Sequence, residues 1–412
     1  MIEREAEFWA SRPILTHIRD VARARRAAPW ATLGNVLARI VAATPPSVTL
    51  PPLVGGRASL NTFVAIVGPS SAGKGVSAAA AQYGVEIIGA TFSETPPGTG
   101  EGLSSLFVEW DAKEQMLRRR AESALFDVPE IDTLTALGNR TGATIMGELR
   151  KAWSGERLGF GYATAAKRLI VQPHTYRLCM TVGVQPLKAG HLLGDSGGGT
   201  PQRFLWLPAI DPDAPDTPPA TPDPEQWKQP DYEWTADVTL GVCDLARREI
   251  DAARLSGLRG QMPNELDGHA MQVRLKVAAA LALLERRLSV SEEDWHLSDL
   301  IAQVSRATRE RIQRVITDKA RLDNAGKAHA EADREEIKTE RADARNHKRA
   351  VLMIGEKLKA RRGQWIKRGE ITVMLSRELR PFAEGALNEL MNAGLVESRP
   401  TGNGQSTEYL TS

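Results

Sequence analysis

One stretch restricts the fold more than any other. A run of small and β-branched apolar residues, Phe63 to Val67, enters the loop Gly68-Pro69-Ser70-Ser71-Ala72-Gly73-Lys74-Gly75, and an alanine-rich segment, Val76 to Gly84, leaves it. Apolar residues bounded by glycine predict a short buried strand. The segment "VSAAAAQYG" predicts a helix. Gly68, Gly73 and Lys74 have the spacing G-x-x-x-x-G-K, in which backbone N–H groups converge on an anion and the following helix adds the positive end of its dipole. Gly68 to Val76 are therefore the expected nucleotide-binding residues, with Lys74 reaching the β- and γ-phosphates of ATP. Gly75 departs from the usual pattern, where a serine or threonine hydroxyl ligates Mg²⁺. That puts the metal geometry in question and leaves the phosphate loop standing.

A strand–loop–helix of this kind belongs in an α/β domain with a parallel sheet. The 412 residues suffice for two or three domains. Residues 1–50 read as an N-terminal helical segment: Phe8, Trp9, Ile14, Ile18 and Val21 recur at helical spacing, and "PWATLGNVLARIVAA" continues the pattern. Residues 51–210 alternate apolar strands with helices and form the expected core. Residues 211–235 are a proline-rich linker, with seven prolines between 211 and 230. Residues 236–345 read as a helical lid followed by a long charged helix. The 13 basic and 9 acidic residues of 306–350 fit a solvated helix better than a DNA-binding stripe. Residues 346–412 give three helices and two strand-like pieces around Gly402-Asn403-Gly404, the order of a winged helix.

The net charge of +2 excludes a globally basic nucleic-acid binder, so any DNA contact must come from local patches. Two cysteines, Cys179 and Cys243, make neither a disulfide framework nor a thiolate metal site. A reducing, cytoplasmic setting is expected. The first residues, "MIEREAEFWASRP", carry acids and lack the apolar core of a signal peptide. No stretch approaches the length of a membrane span.

A phosphate loop needs an acid at the end of a neighbouring strand to organise Mg²⁺ and the attacking water. "SALFDVPEIDTL", residues 123–134, has that shape. Glu130 is expected to polarise the water. Asp127 is the metal-side acid, with Asp132 as the alternative. "YRLCMTVGVQP", residues 176–186, reads as a second buried strand and ends in Gln185, beside the expected γ-phosphate position. "GTPQRFLWLPA", residues 199–209, places Arg203 before a third apolar run, where an arginine can serve a neighbouring subunit's ATP as a finger.

Taken in order, "TGEGLSSLF", "DVPEIDTL", "TVGVQP" and "TPQRFLWLP" resemble the motifs of AAA+ ATPases, and more narrowly of the MCM-like replicative helicases of phages and other mobile elements. The resemblance covers residues 50–210 and, more loosely, the helices to about 305. It implies that Lys74, Glu130, Gln185 and Arg203 act as phosphate lysine, catalytic acid, first sensor and arginine finger. It also implies a second-sensor arginine in "MQVRLKVAAALALL", where Arg274 is the candidate. In helicases of the resembled kind a hairpin projects into the ring's pore from the position of "GERLGFGYATAAKRLIVQPHTYR". Two strands around the tip "ATAAKR" would then bring Lys167 and Arg168 to the phosphates of a threaded strand. Gly75 and the split acidic motif are the departures from the pattern.

The expected protein is an ATP hydrolase and DNA helicase of phage or mobile-element replication. It would be a homo-oligomeric ring, a hexamer, translocating on single-stranded DNA, with any primase a separate chain. The winged helix could add duplex contacts in the helix-turn-helix mode, through Arg377, Arg380 and Asn388 on "SRELRPFAEGALNELMN" and wing residue Arg399. Two other readings stay open: an initiator or loader that binds origin duplex, and a DNA-binding regulator whose loop only senses nucleotide.

Overall fold

Alternating apolar strands and helices build a five-stranded parallel sheet, β1 Phe63–Val67, β2 Ser93–Thr95, β3 Ser123–Val128, β4 Arg177–Val184 and β5 Phe204–Pro208, in the spatial order β5-β1-β4-β3-β2. This computed structural model describes residues 4–88, 92–138, 140, 142–194, 198–224, 228–229, 237–261, 268–402 and 406–411. The inner strands β1 and β4 are buried along their whole length, which is why they read as continuous apolar runs and not as alternating ones. Register is fixed by pairs such as Val67 with Val184, Pro208 with Val67, and Asp127 with Thr181.

Helices cover both faces. On one lie α1 Glu5–Ala10, α2 Pro13–Ala24, α3 Pro29–Ala43 and α4 Lys74–Gly84. Their apolar residues share a core with Val64, Ile66, Leu205 and Leu207 of the sheet. On the other face α5 Gly100–Ser105, α6 Ile131–Gly138 and α7 Ile145–Ser154 pack against Phe63, Ala65, Phe126 and Trp206. The short α8, Gly190–Gly194, follows β4. Because α3 is apolar nearly all round, it is an interior helix. The composition break near residue 50 is thus not a break in packing: the N-terminal helices belong to the same compact unit as the sheet, Met1–Thr317.

Three helices follow: α9 Asp244–Leu258, α10 Ala270–Leu284 and the 68-residue α11 Glu292–Lys359. The charged stretch expected to be a solvated helix is helical and largely exposed between 318 and 345. A second unit, Asp318–Ser412, contains α12 Arg368–Val373, α13 Ala383–Asn392 and the antiparallel strands β6 Ile366–Lys367, β7 Val396–Pro400 and β8 Thr407–Thr411, in the order β6-β8-β7. The sequence reading missed the short β6. Asn403 and Gly404 of the expected turn, and 225–227 and 230–236 of the proline-rich stretch, lie outside the described residues. Among the described residues no helix is long and apolar enough to cross a membrane.

Candidate functional site

At β1 the strand order reverses: the strand lies between β4 and β5, the last two strands of this sheet in chain order. Open α/β sheets bind ligands beyond the carboxyl ends of their strands at such a point. Loop 68–75 leaves β1 there. Gly73 is left-handed, with φ of 66°, and caps α4, a conformation costly for residues with a side chain. The start of the loop is fixed by a bond from the Gly68 N–H to the Val184 carbonyl, 3.0 Å. Ser70, Gly75 and Val76 are exposed, so the loop faces solvent.

Lys74 donates through Nζ to the carbonyls of its own loop, Pro69 at 3.0 Å and Gly68 at 3.4 Å. Its pKa is lowered, first by burial and then by the charge of Lys188, with Glu130 acting the other way. Glu130 follows β3 and is about half exposed. It accepts a long bond from the Gln185 side-chain nitrogen, 3.5 Å, and lies 3.7 Å from the ammonium of Lys188. Three of the residues picked from sequence, Lys74, Glu130 and Gln185, therefore meet at the carboxyl end of the sheet.

Two members of this cluster escaped the sequence reading. Lys188, in the 3-10 turn after Gln185, is paired with both Asp132 and Glu130, and the bond to Asp132 raises its pKa. Gly183 in β4 lets the chain after β3 come close. A Cβ there would overlap the Pro129 carbonyl and stand 3.1 Å from Cε of Lys74. A polar residue shortly after an expected strand end was the available signal for Lys188. The need for glycine at 183 depends on inter-strand register, which no local pattern displays.

The expected metal ligands do not assemble. Asp132 is committed to Lys188. Asp127 pairs in register with Thr181, which pairs with Val64, so it sits about 10 Å back from the end of β1. Its carboxylate accepts from the Thr181 hydroxyl at 3.3 Å. Its pKa is raised, chiefly by lost solvation, with Glu94 adding to the rise. Gly75 supplies no hydroxyl. Among the described residues no three His, Cys, Asp or Glu side chains form a group able to hold a metal ion. As placed, Asp127 and Asp132 do not meet at this loop, so they do not fit the paired role expected of them toward Mg²⁺.

Arg203 lies at the start of β5, a strand length of about 16 Å from the loop of its own chain. It donates to the Gly199 carbonyl at 2.6 Å and stacks on Trp153 at 5.5 Å. Arg274 does not face the loop. It is buried among α9, α10 and α11, donating to Glu249 at 2.9 Å and to the Trp295 carbonyl at 3.1 Å, with its guanidinium 3.7 Å above the Trp295 ring. The expected sensor residue is a clamp between helices, because α10 is buried on nearly all sides.

The expected hairpin over 155–177 is reduced to one antiparallel bridge, Leu158 with Val171, and a 3-10 turn, Ala165–Lys167. Its glycines and small residues do not sustain paired strands. Lys167 and Arg168 are exposed, as expected of a tip, but Arg168 folds back onto the Tyr162 and Ala163 carbonyls, at 2.8 and 3.2 Å. A fuller hairpin, Val108–Asp111 with Met116–Arg119, went unread; an Asp111 turn with bonds to Lys113 N and Glu114 N closes it.

In the second unit Arg377 and Asn388 are exposed. Arg380 donates to the Leu375 carbonyl at 3.3 Å. Arg399 is paired with Glu408 at 3.1 Å and lies 4.0 Å over Trp365. The exposed positions of α13 include Glu384 and Glu389 beside Asn388, paired with Arg368 and His347. Two carboxylates flanking the expected base-reading position disfavour insertion between DNA phosphates.

No family model matches this chain, and no curated protein matches it.

Proposed function

We propose that the chain is an ATP-hydrolysing motor of AAA+ type that works as a ring on single-stranded DNA, with the second unit a winged helix. The observation that carries the reading is the division of labour between the two ends of the sheet. Lys74, Glu130 and Gln185 converge at the carboxyl end around a loop built for phosphates. Arg203 is at the amino end, about a strand length from that loop, which fits service to a neighbouring subunit's nucleotide and not to its own. In this reading Lys74 binds the phosphates, Glu130 draws the proton from the attacking water, and Gln185 holds Glu130 and the terminal phosphate in register. Lys167, exposed at its tip, contacts the DNA backbone, and Arg168 braces the tip from within. The acidic face of α13 favours a partner-binding role for the winged helix over operator reading.

The test is ATP hydrolysis with and without single-stranded DNA, in the wild type, Glu130→Gln and Arg203→Ala. DNA-stimulated turnover in the wild type and loss of about 10²-fold or more in each variant are expected. An equimolar mixture of the two variants should regain part of the activity, because an intact Glu130 from one chain meets an intact Arg203 from the other. Nucleotide binding without turnover, indifferent to Arg203→Ala, would sink the motor and leave a nucleotide-sensing regulator.

A further inference from the structure

The cluster at the carboxyl end of the sheet contains a cation that the reading above does not use. Lys188 holds Asp132 and lies 3.7 Å from Glu130. Glu130 is bonded to Gln185, and Lys74 is near enough to both Glu130 and Lys188 to respond to their charges. Two ammonium groups that repel each other gain most from an anion placed between them. The usual source of further positive charge at such a loop is a metal ion held in part by a hydroxyl where this chain has Gly75, and Asp127 and Asp132 do not meet there.

We propose that Lys188 is a second phosphate-binding cation of this site: it leaves Glu130 and Asp132 for the terminal phosphate of a bound nucleoside triphosphate, and so frees Glu130 only when that phosphate is present. This rests on loop 68–75 being the nucleotide site. The physical case is an exchange of partners. Lys188 ends a flexible four-carbon stem, is about one-third exposed, and holds its two carboxylates at a surface where such pairs are weak. A triphosphate offers more charge at one place. Once Lys188 turns to it, Glu130 loses its cationic partner and its carboxylate is left open to the attacking water. With diphosphate bound, the carboxylates keep Lys188 and Glu130 stays engaged. The lysine thereby makes the state of the base depend on the identity of the nucleotide.

The test is equilibrium binding of ATP and ADP, with Mg²⁺ and with excess EDTA, to the wild type, Lys188→Met, Lys188→Arg and Lys74→Ala, each checked for an unchanged unfolding midpoint. The wild type should keep a preference for ATP over ADP in EDTA. Lys188→Met should weaken ATP binding in EDTA by about 10- to 100-fold, the range of a hydrogen bond to a charged group. It should leave ADP binding nearly unchanged, and Lys188→Arg should restore most of the ATP preference. If Lys188→Met leaves the ATP preference intact while Lys74→Ala abolishes binding, the lysine is a surface ion pair and the inference is overturned alone. If Lys74→Ala binds as the wild type does, the nucleotide site itself is elsewhere, and both readings fall.

Discussion

The two ends of the central sheet hold positive charge in opposite ways. At the amino end Arg177 is fully buried, and all five of its N–H donors are used: by the carbonyls of Thr44, Pro45 and Val48, the hydroxyl of Ser59 and the side chain of Asn61, at 2.6 to 3.2 Å. Lys276, also fully buried, donates to the Asn61 and Trp153 carbonyls at 2.7 Å each and lies 3.4 Å from the centre of the Trp153 ring. Burial lowers Arg177 to about 10 and Lys276 well below its ordinary value. At the carboxyl end the described hydrogen bonds of Lys74 run to carbonyls of its own loop, and Lys188 is shared between two exposed acids. Buried cations with complete hydrogen bonding fasten segments together. Cations left half-solvated around an open loop are poised for a ligand. Charge and bond count alone do not separate the two ends, since Lys276 and Lys74 each donate to two carbonyls; burial does, because only Lys276 is enclosed.

The strongest way to break this comparison is at the amino end. Arg177→Met takes a donor from the carbonyls of Thr44 and Val48, at about 1–3 kcal/mol for each buried group, while the Pro45 carbonyl keeps the Val48 N–H at 3.1 Å. Loss of most of the first unit's stability is expected, on the order of 5 kcal/mol, read by urea unfolding followed at its tryptophans. Lys276→Met orphans two carbonyls and should cost about 2–5 kcal/mol. If either change is nearly neutral, these cations are not fastenings.

Next is Gly183→Ala, which reaches the carboxyl end from inside the sheet. The added methyl meets the Pro129 carbonyl and Cε of Lys74, so the chain carrying Glu130 must shift. A loss of about 1–3 kcal/mol is expected from overpacking. Turnover should fall by more than that destabilisation explains, which kinetics below the unfolding transition would show. A smaller, graded effect comes from pH. His269 falls from its ordinary 6.5 to about 4, first through burial and then through the charges of Arg203 and Lys276. Burial also lowers His17 and His174. A histidine kept neutral by the fold binds protons more readily when unfolded. The stability it lends is full above pH 6.5 and is lost as pH falls towards 4. The thermal midpoint should drop over that window, and His269→Gln should shallow the drop. An unchanged slope would remove His269 from the account.

What could be read from sequence followed what is local. Loop 68–75 was legible because its geometry is set by its own glycines and by the strand and helix that flank it. Glu130 and Gln185 were legible because apolar runs announce where strands end. Lys188 and Gly183 were harder to see, since their roles depend on how β3 and the turn after β4 lie across the sheet. The depth of Asp127 could not be read for the same reason: only register sets it back beside Thr181. Arg274 and Lys276 lie in an apolar helix buried on nearly every side, so periodicity offered no face by which to judge where either pointed. The N-terminal helices were recognised as helices, but their packing on Val64 and Leu207 is a long-range fact that composition does not carry.

The smallest expected effect on stability belongs to the residue expected to matter most for function. Lys74 is half-buried, and both of its bonds run to carbonyls of a loop that water can reach. Burial already weighs against its charge, which lowers its pKa. Lys74→Ala removes a partly desolvated cation and a few methylene contacts, and costs the buried Gly68 only a long bond of 3.4 Å. The unfolding midpoint should move by no more than about 0.5 kcal/mol equivalent, or rise slightly. A stability cost of the size predicted for Lys276→Met would mean that Lys74 is a fastening like the others, and the contrast between the two ends of the sheet would be lost. A silent substitution in unfolding that abolishes nucleotide retention would place the two ends where burial puts them: one spending its charge on the fold, the other holding it for a ligand.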